Sequence, residues 1–480
     1  MKFGTSGLRG LVADMTDAIV SDYVLAFIHH LSAQRAAPTT ALVGRDLRPS
    51  SARIAAACRA AIRAAGVDCV DCGELPTPAL ALEAAALGAP AVMVTGSHIP
   101  FDRNGMKFYM PDGEITKADE AGILAQRAVA QPPSSREGSE TASSAALARY
   151  RDRNLAILPA GALRGLRIGV YQHSAVGRDV IVEALSLLGA QTVALGRTDA
   201  FVPIDTEAVR PEDAAQARAW TTEHRLDALV STDGDGDRPL IADERGAFIR
   251  GDVVGLLTAR AIGADAVATP VSSSTALERS GWVEKIARTR IGSPFVIEMA
   301  QALAAGGARL PVGYEANGGF LLGGAWTPEG RPPVCALLTR DAMLPILALL
   351  GEAARRKLAL SALVAETPRR FTASDRLTEI APERSLAWLD LLAHAAPARS
   401  RLAHRLGVET VVGVDTLDGV RMILPGEEIA HLRASGNAPE LRAYAEAAAP
   451  DRAAAIVAML LSAAADALAD TRTGSARSEG

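Results

Sequence analysis

Asp233-Gly234-Asp235-Gly236-Asp237-Arg238 sets three carboxylates two residues apart with only glycine between them. No apolar side chain fills the gaps, so the segment is not a core strand. Carboxylates this close repel one another unless a cation sits among them, and an all-oxygen ligand set suits Mg2+ or Ca2+ rather than zinc. Leu226-Asp227-Ala228-Leu229-Val230-Ser231, just upstream, reads as a buried strand. The carboxylates therefore fall in a strand-to-loop turn, where α/β proteins keep their chemistry. An EF-hand loop would also use these aspartates, with Glu244 closing it, but Arg238 stands where that loop's sharp turn requires glycine. A solvated acidic turn is the plainer alternative, and the strict Asp/Gly alternation argues against it.

Thr95-Gly96-Ser97-His98-Ile99-Pro100 is a second polar loop, stiffened by proline and also placed after an apolar run. A Ser beside a His is by itself as often a structural turn, and the segment is not the G-x-S-x-G of a hydrolase elbow. Read together with a carboxylate cage, Ser97 becomes a candidate phosphoryl carrier. A divalent ion on three Asp would neutralise charge on a phosphoserine and on the transferring group.

The elements that must position these loops alternate between strand and helix. Ala41–Gly44, Cys69–Cys72 and Ala91–Val94 read as strands around a helix at Ser50–Ala65. A segment rich in Ser, Pro, Glu and Gly, Gln131–Ser144, reads as a boundary. A second unit starts at Arg167–Tyr171, passes through a helix at Asp179–Leu188 and ends in the Asp-Gly loop; a third runs from Ala266–Thr269 to Pro311–Gly313. Alternation of this kind predicts α/β architecture with mostly parallel sheets. A third glycine-bearing loop, Gly313–Gly319, again follows an apolar run, so three similar units facing one cleft would gather three loops. After about residue 370 the pattern changes: Val411–Val414, Gly419–Leu424 and Leu441–Ala445 predict a smaller sheet of another kind, followed by a helix over Asp451–Leu468.

Bulk properties narrow the function classes. A chain of 480 residues exceeds one core and predicts two to four domains. Net charge is −5 and no Lys/Arg-rich run occurs, which speaks against nucleic-acid or anionic-membrane partners and leaves a small anionic substrate open. The N-terminus turns glycine-rich at once instead of reading as a signal peptide, and Ala-rich runs such as Ala453–Leu468 read as too short or interrupted to cross a bilayer. Four cysteines make no disulfide framework, and Cys69-Val70-Asp71-Cys72 lacks a second pair for zinc, so both read as strand thiols. The expected location is cytoplasmic.

The motifs, taken in order, resemble the α-D-phosphohexomutase family along essentially the whole chain. They are Gly4-Thr5-Ser6-Gly7-Leu8-Arg9-Gly10, the Thr95–Pro100 loop, Asn104-Gly105-Met106-Lys107, Asp233–Arg238, Tyr314–Gly318, and Arg433 through Arg442. The resemblance implies four domains around a central cleft: 1–145 with the phosphoserine loop, 146–252 with the metal loop, 253–368 with the sugar loop, and a smaller α+β domain, 369–480, that binds phosphate. It implies that Ser97 is carried as phosphoserine and converts a hexose 1-phosphate to a 6-phosphate through an enzyme-bound 1,6-bisphosphate, which also serves as activator. One Mg2+ would be held by Asp233, Asp235, Asp237 and a phosphate oxygen on Ser97. His98, Arg9 and Arg238 would flank the transfer, and Lys107 would move a proton, which calls for a depressed pKa. Glu315 and Asn317 would read the sugar. Arg433, Ser435, Gly436 and Asn437 would clamp the non-reacting phosphate, as a Gly turn and a bidentate arginine can, with Arg442 assisting, and Arg290 would join the substrate-binding residues.

Four positions depart from the usual pattern. Ile99 replaces a common Asn, Asn317 a usual Ser, and Arg290 a frequent Lys, while Gly319 stands where some members carry a His. The nearest likeness is to the bacterial phosphomannomutase/phosphoglucomutase group, with mannose phosphates the expected substrate and glucose phosphates the alternative. A glucosamine specialist fits less well, since its usual Glu-Gln-Ser-Gly-His loop is absent. A silent sugar-phosphate sensor would be expected to lose Ser97, a cage Asp or Arg433, and all are present. The expected partners are small hexose phosphates, with no nucleic acid or membrane, and the expected state is a monomer or weak dimer.

Overall fold

The computed structural model describes residues 1–4, 7–129, 134–435 and 439–470. The chain divides into two compact units, the first comprising 1–269, 282–287 and 292–367 and the second 270–281, 288–291 and 368–480.

In the first sheet the order is Lys2–Phe3, Leu8–Leu11, Arg103–Met110, Ala91–Val94, Thr40–Arg45, Asp68–Glu74, Glu140–Ala142, with Gly113–Glu114 paired on Arg103–Met110. Its centre is parallel, and the strands beyond Ala91–Val94 turn antiparallel. Ala91–Val94 is buried throughout, as befits a strand covered on both faces. Helices Asp17–Gln34 and Ser51–Ala64 cover the sheet with apolar residues at helical spacing (Val20, Val24, Phe27, Leu31; Ile54, Cys58, Ala61) that join Val43, Val92 and Phe108 in one core. Cys69 and Cys72 are buried free thiols of Asp68–Glu74, as expected of strand cysteines.

The second sheet runs Gln191–Leu195, Arg167–Tyr171, Ala228–Thr232, Pro239–Ala242, parallel except at the last pair. The third runs Lys285–Thr289, Ala266–Pro270, Pro311–Tyr314, Phe320–Leu322, Leu337–Asp341. The fourth, in the second unit, runs Phe371–Leu377, Leu441–Ala447, Glu428–Ala434, Val420–Leu424, Gly413–Asp415, and its pairings are all antiparallel.

Three local expectations change. Within Gln131–Ser144, read as a boundary, Glu140–Ala142 is a strand that extends the first sheet by pairing with Asp68–Glu74. The strand expected at Val411–Val414 lies at Gly413–Asp415. The C-terminal helix is longer than predicted, Pro450–Asp470, and over Pro450–Ala469 it is long and apolar enough to cross a membrane by length and composition. Packing accounts for that apolarity: Ala453, Ile456, Val457, Leu460, Ala463, Ala464 and Leu468 fall on one helical stripe and join Leu432, Ala443 and Ala445 in the core of the second unit. Leu460→Ala is expected to cost about 2–5 kcal/mol in denaturant unfolding. The solvent-facing change Ala455→Ser should stay within about 0.5 kcal/mol.

Candidate active site

Four loops of the first unit begin where a strand ends: Asp46 after Thr40–Arg45, Thr95 after Ala91–Val94, Asp233 after Ala228–Thr232, and Glu315 after Pro311–Tyr314. This is the edge at which α/β sheets place ligands.

The serine loop is held from behind. Ser97 is buried and adopts a left-handed backbone, with φ 52°, which costs a non-glycine residue about 1–3 kcal/mol and persists only when its surroundings over-determine it. Those surroundings are Thr95 and Arg48. The Ser97 amide donates to Thr95 Oγ1 at 2.8 Å, and that hydroxyl donates to Asp46 Oδ2 at 2.7 Å. Arg48 gives Nη2 to the carbonyls of Ser97 (2.7 Å) and Ile99 (2.5 Å) and Nη1 to those of Pro100 (2.9 Å) and Arg103 (3.0 Å). Its guanidinium lies 4.0 Å from the ring centre of Phe201 and is paired with Asp46.

Ser97 Oγ donates to Asp233 Oδ2 at 2.6 Å, which joins the two predicted loops. The approach is close: a Cβ on Gly234 would lie 3.0 Å from the Ser97 carbonyl oxygen, and Gly236 has φ 74°, which suits glycine alone. Asp233, Asp235 and Asp237 are fully buried, with ligand oxygens all within 4.8 Å of one another. Thr77, at the start of helix Thr77–Leu87, donates its amide to the Asp235 carbonyl (2.9 Å) and its hydroxyl to Asp235 Oδ2 (2.5 Å).

Cations surround the triad. Lys107 Nζ bridges Asp235 Oδ2 and Asp237 Oδ2, both at 2.6 Å; Arg340 Nη2 reaches Asp237 Oδ2 at 2.9 Å, and Arg238 Nε lies 3.6 Å from Asp237 Oδ1. Burial would raise the pKa of Asp235 and Asp237, yet Lys107, with Arg340 and Arg238 on Asp237, holds both below the usual carboxylate value. Asp233 goes the other way: burial and then the charges of Asp235 and Asp237 push it well up. Arg238 Nε stands 4.0 Å from Asp233 Oδ2, farther than the cations on Asp235 and Asp237, and among the described residues Asp235 Oδ1 and Asp237 Oδ1 are buried without a hydrogen-bond partner. A hard divalent cation fits both facts, and Asp233, Asp235 and Asp237 are the residues that would hold it.

Lys107 differs from the depressed pKa its expected role calls for. Burial disfavours the ammonium, but the two carboxylates outweigh burial and raise its pKa above the ordinary lysine value. His98 is pushed down to about 2 by burial and by the charges of Arg238 and Arg9, so it is a neutral imidazole. Its Nδ1 accepts from Arg238 Nη1 at 2.8 Å and lies 3.4 Å from Ser97 Oγ. Arg9, in strand Leu8–Leu11, falls to about 10 through burial and the neighbouring Arg238 and Arg340, and stays charged at neutral pH. Glu315 is buried and accepts from Arg340 Nη1 at 3.2 Å. Asn317 turns its side-chain oxygen inward to accept the Gly319 amide at 3.0 Å, and its carbonyl accepts from Thr206 at 2.7 Å.

The remaining predicted residues belong to the second unit. Arg433 and Arg442 are register partners on adjacent antiparallel strands and therefore share a face of the fourth sheet. Arg433 pairs with Asp418 at 2.8 Å, Arg442 with Glu440 at 3.1 Å, and the Asp418 carboxylate also accepts the amide of Ile291, the neighbour of Arg290. The Ser435 amide donates to the Glu440 carbonyl at 2.9 Å. Gly436 and Asn437 lie outside the described residues.

Sequence reading missed Asp46, Arg48, Thr77 and Arg340. Asp46 and Arg48 carried a usable signal, since they follow directly on a predicted strand; Arg340 carried none.

Residues 1–131, 149–246 and 250–371 match the models of phosphoglucomutase/phosphomannomutase α/β/α domains I, II and III, and residues 376–463 match that of the C-terminal domain. The chain belongs to the phosphoglucomutase/phosphomannomutase family. A phosphomannomutase of Sinorhizobium fredii (strain NBRC 101917 / NGR234) is 46% identical over 461 residues, 94% of this chain and 96% of that protein. One from Salmonella muenchen is 43% identical over 464 residues, 96% and 95% of the two chains. A phosphoglucosamine mutase of Symbiobacterium thermophilum is 30% identical over 90% of this chain and 96% of its own. The fold is shared with a family protein of Burkholderia thailandensis (TM-score 0.77, 22% identity, 96% and 97% covered) and with the Paramecium phosphoglucomutase pp63/parafusin (TM-score 0.70, 15%, 97% and 94%). As a member of this family the chain is an isomerase of the phosphohexomutase type.

Arg48→Lys keeps a charge but cannot serve four carbonyls at once. It is expected to cut kcat on a hexose 1-phosphate by about a hundredfold through displacement of Ser97. Mg2+ affinity, measured by calorimetry, should stay close to that of the unaltered chain.

Proposed function

We propose that this phosphohexomutase interconverts mannose 1-phosphate and mannose 6-phosphate through a phosphoserine at Ser97. The observation that carries the reading is the buried Ser97 hydroxyl donating at 2.6 Å to Asp233 of the carboxylate triad, with arginines and a lysine gathered around it. The 46% and 43% identical phosphomannomutases support mannose as the sugar.

The O6 hydroxyl of a bound hexose 1-phosphate attacks the phosphorus on Ser97. The O6–P bond forms and the P–Oγ bond breaks; Ser97 Oγ takes a proton from the Lys107 ammonium, and the proton released from O6 passes through solvent to restore that ammonium. The bisphosphate turns over, and its 1-phosphate returns to Ser97 by the same steps in reverse, so atoms and charge balance over the cycle. Asp233, Asp235 and Asp237, with the phosphorylated Ser97, would hold a Mg2+ ion, whose charge would offset that of the transferring phosphoryl group. Lys107 is held as an ammonium and serves as the proton donor to the departing serine oxygen. Arg238 and Arg9 supply fixed positive charge to the phosphoryl oxygens, and the neutral His98 orients Arg238. Glu315 accepts from adjacent sugar hydroxyls. Arg433 and Arg442, side by side, with Ser435 and with Gly436 and Asn437 as the sequence suggests, hold the phosphate that is not transferred, and Arg290 adds a further positive charge for the substrate. A hexose 1,6-bisphosphate primes the unphosphorylated enzyme.

Ser97→Ala is expected to abolish turnover while leaving the melting temperature nearly unchanged, and the unaltered protein should show in intact mass a species one phosphoryl group heavier. Near-normal turnover by Ser97→Ala would sink the mechanism. Removing divalent cations with excess chelator should stop turnover, and Mg2+ should restore it better than Ca2+, whose looser coordination misplaces the phosphoryl group. Measured side by side with bisphosphate present, kcat/KM should be highest for mannose 1-phosphate, appreciable for glucose 1-phosphate and lowest for glucosamine 1-phosphate. A preference for glucosamine 1-phosphate would overturn the sugar assignment and leave the phosphoserine standing.

A further inference from the structure

Gly319 and Arg340 share one space. A Cβ built on Gly319 would lie 2.5 Å from Arg340 Cδ and 2.8 Å from its Cγ, so the glycine is where the arginine's stem passes. Arg340 comes from strand Leu337–Asp341, whose side chains alternate in direction. Thr339 on one side of it donates to Glu114 Oε1 at 2.6 Å. Asp341 on the other accepts from the Tyr150 hydroxyl at 2.6 Å and from Arg153 at 2.8 Å. Both neighbours are thus anchored, and Arg340, only 3% exposed, extends between Asp237 Oδ2 at 2.9 Å and Glu315 Oε2 at 3.2 Å. Its fork spans a carboxylate of the cation loop and the carboxylate of the sugar loop.

We propose that Arg340 is a positioning residue of the reaction: it fixes Glu315 for the sugar and, by its charge beside Asp237, weakens the triad's hold on its divalent cation. The inference rests on the proposed reading of Glu315 as a sugar ligand and of the triad as a cation cage. A guanidinium serves two acceptors in one rigid geometry, whereas a lysine ammonium reaches one as a point charge. Its positive charge also repels an incoming divalent ion at a distance where buried charges are weakly screened. With no side chain at 319, the strand supplies to this corner of the site a cationic donor that the loop itself cannot.

The test is a pair of opposite shifts. Arg340→Met is expected to raise KM for mannose 1-phosphate by about tenfold or more, with a smaller fall in kcat, because Glu315 loses its partner. The same variant should bind Mg2+ about tenfold more tightly by calorimetry on the full chain without sugar, because a positive charge is gone. Loss of structure alone would weaken both. Arg340→Lys, which keeps the charge, should raise KM and leave Mg2+ affinity within about twofold. Gly319→Ala should lower the melting temperature in the unaltered chain and much less in Arg340→Ala, where the stem has been removed. Weaker Mg2+ binding by Arg340→Met overturns the inference, as does an unchanged KM. Glu315→Gln separates the two readings. An unchanged KM there removes Glu315 from the sugar site. A raised KM there, with an unchanged KM in Arg340→Met, overturns this inference alone.

Discussion

Three carboxylates buried within five residues could not stay folded and charged without compensation. Neighbouring unit charges about 4 Å apart repel by roughly 4 kcal/mol at an effective dielectric of 20. Lys107 and Arg340 answer that repulsion directly, at 2.6 and 2.9 Å, and Arg238 adds a more distant charge. Lys107 stands on a strand of the first sheet, Arg340 on a strand of the third, and the triad on a loop of the second. Charge balance at the site therefore depends on the three sheets of the first unit being docked together, and the site in turn bonds them. The compensation is weakest at Asp233, the carboxylate that accepts the Ser97 hydroxyl, where Arg238 Nε stands 4.0 Å away.

The serine loop shows how strain is carried. The left-handed backbone at Ser97 exposes carbonyls in an irregular turn, and buried carbonyls without partners are costly. Arg48 collects four of them, and Asp46 and Thr95 hold the loop from below. Ile99, unusual at its position, contributes a backbone carbonyl to this arrangement, so the change of side chain there leaves the support of Ser97 untouched.

In the second unit the same economy appears in an antiparallel sheet. Register, rather than spacing along the chain, brings Arg433 and Arg442 side by side, and Asp418 and Glu440 partly neutralise them. Adjacent guanidinium groups on one face are costly unless an anion is shared between them, and a phosphate dianion offers oxygens in the geometry their forks prefer.

What the chain announced by itself is what lies close together in it. The Asp triad, the serine loop and the strand–helix alternation were legible because their chemistry rests on residues a few positions apart, and the backbone periods of strand and helix translate that spacing directly into faces and loops. The same reasoning misjudged Lys107, whose charge is set by carboxylates 128 and 130 residues away. It passed over Arg340, since an arginine within a strand reads as a solvated side chain until burial and partners are known. It also read the Ala-rich stretch Ala453–Leu468 as too short or interrupted, whereas the helix runs over Pro450–Asp470, because its length and its apolar face are set with the sheet that covers it. Burial, register and ion pairing are properties of strands brought together from distant parts of the chain. Only the tertiary structure could decide them, because the free energy of a buried charge depends on which opposite charge the fold places beside it.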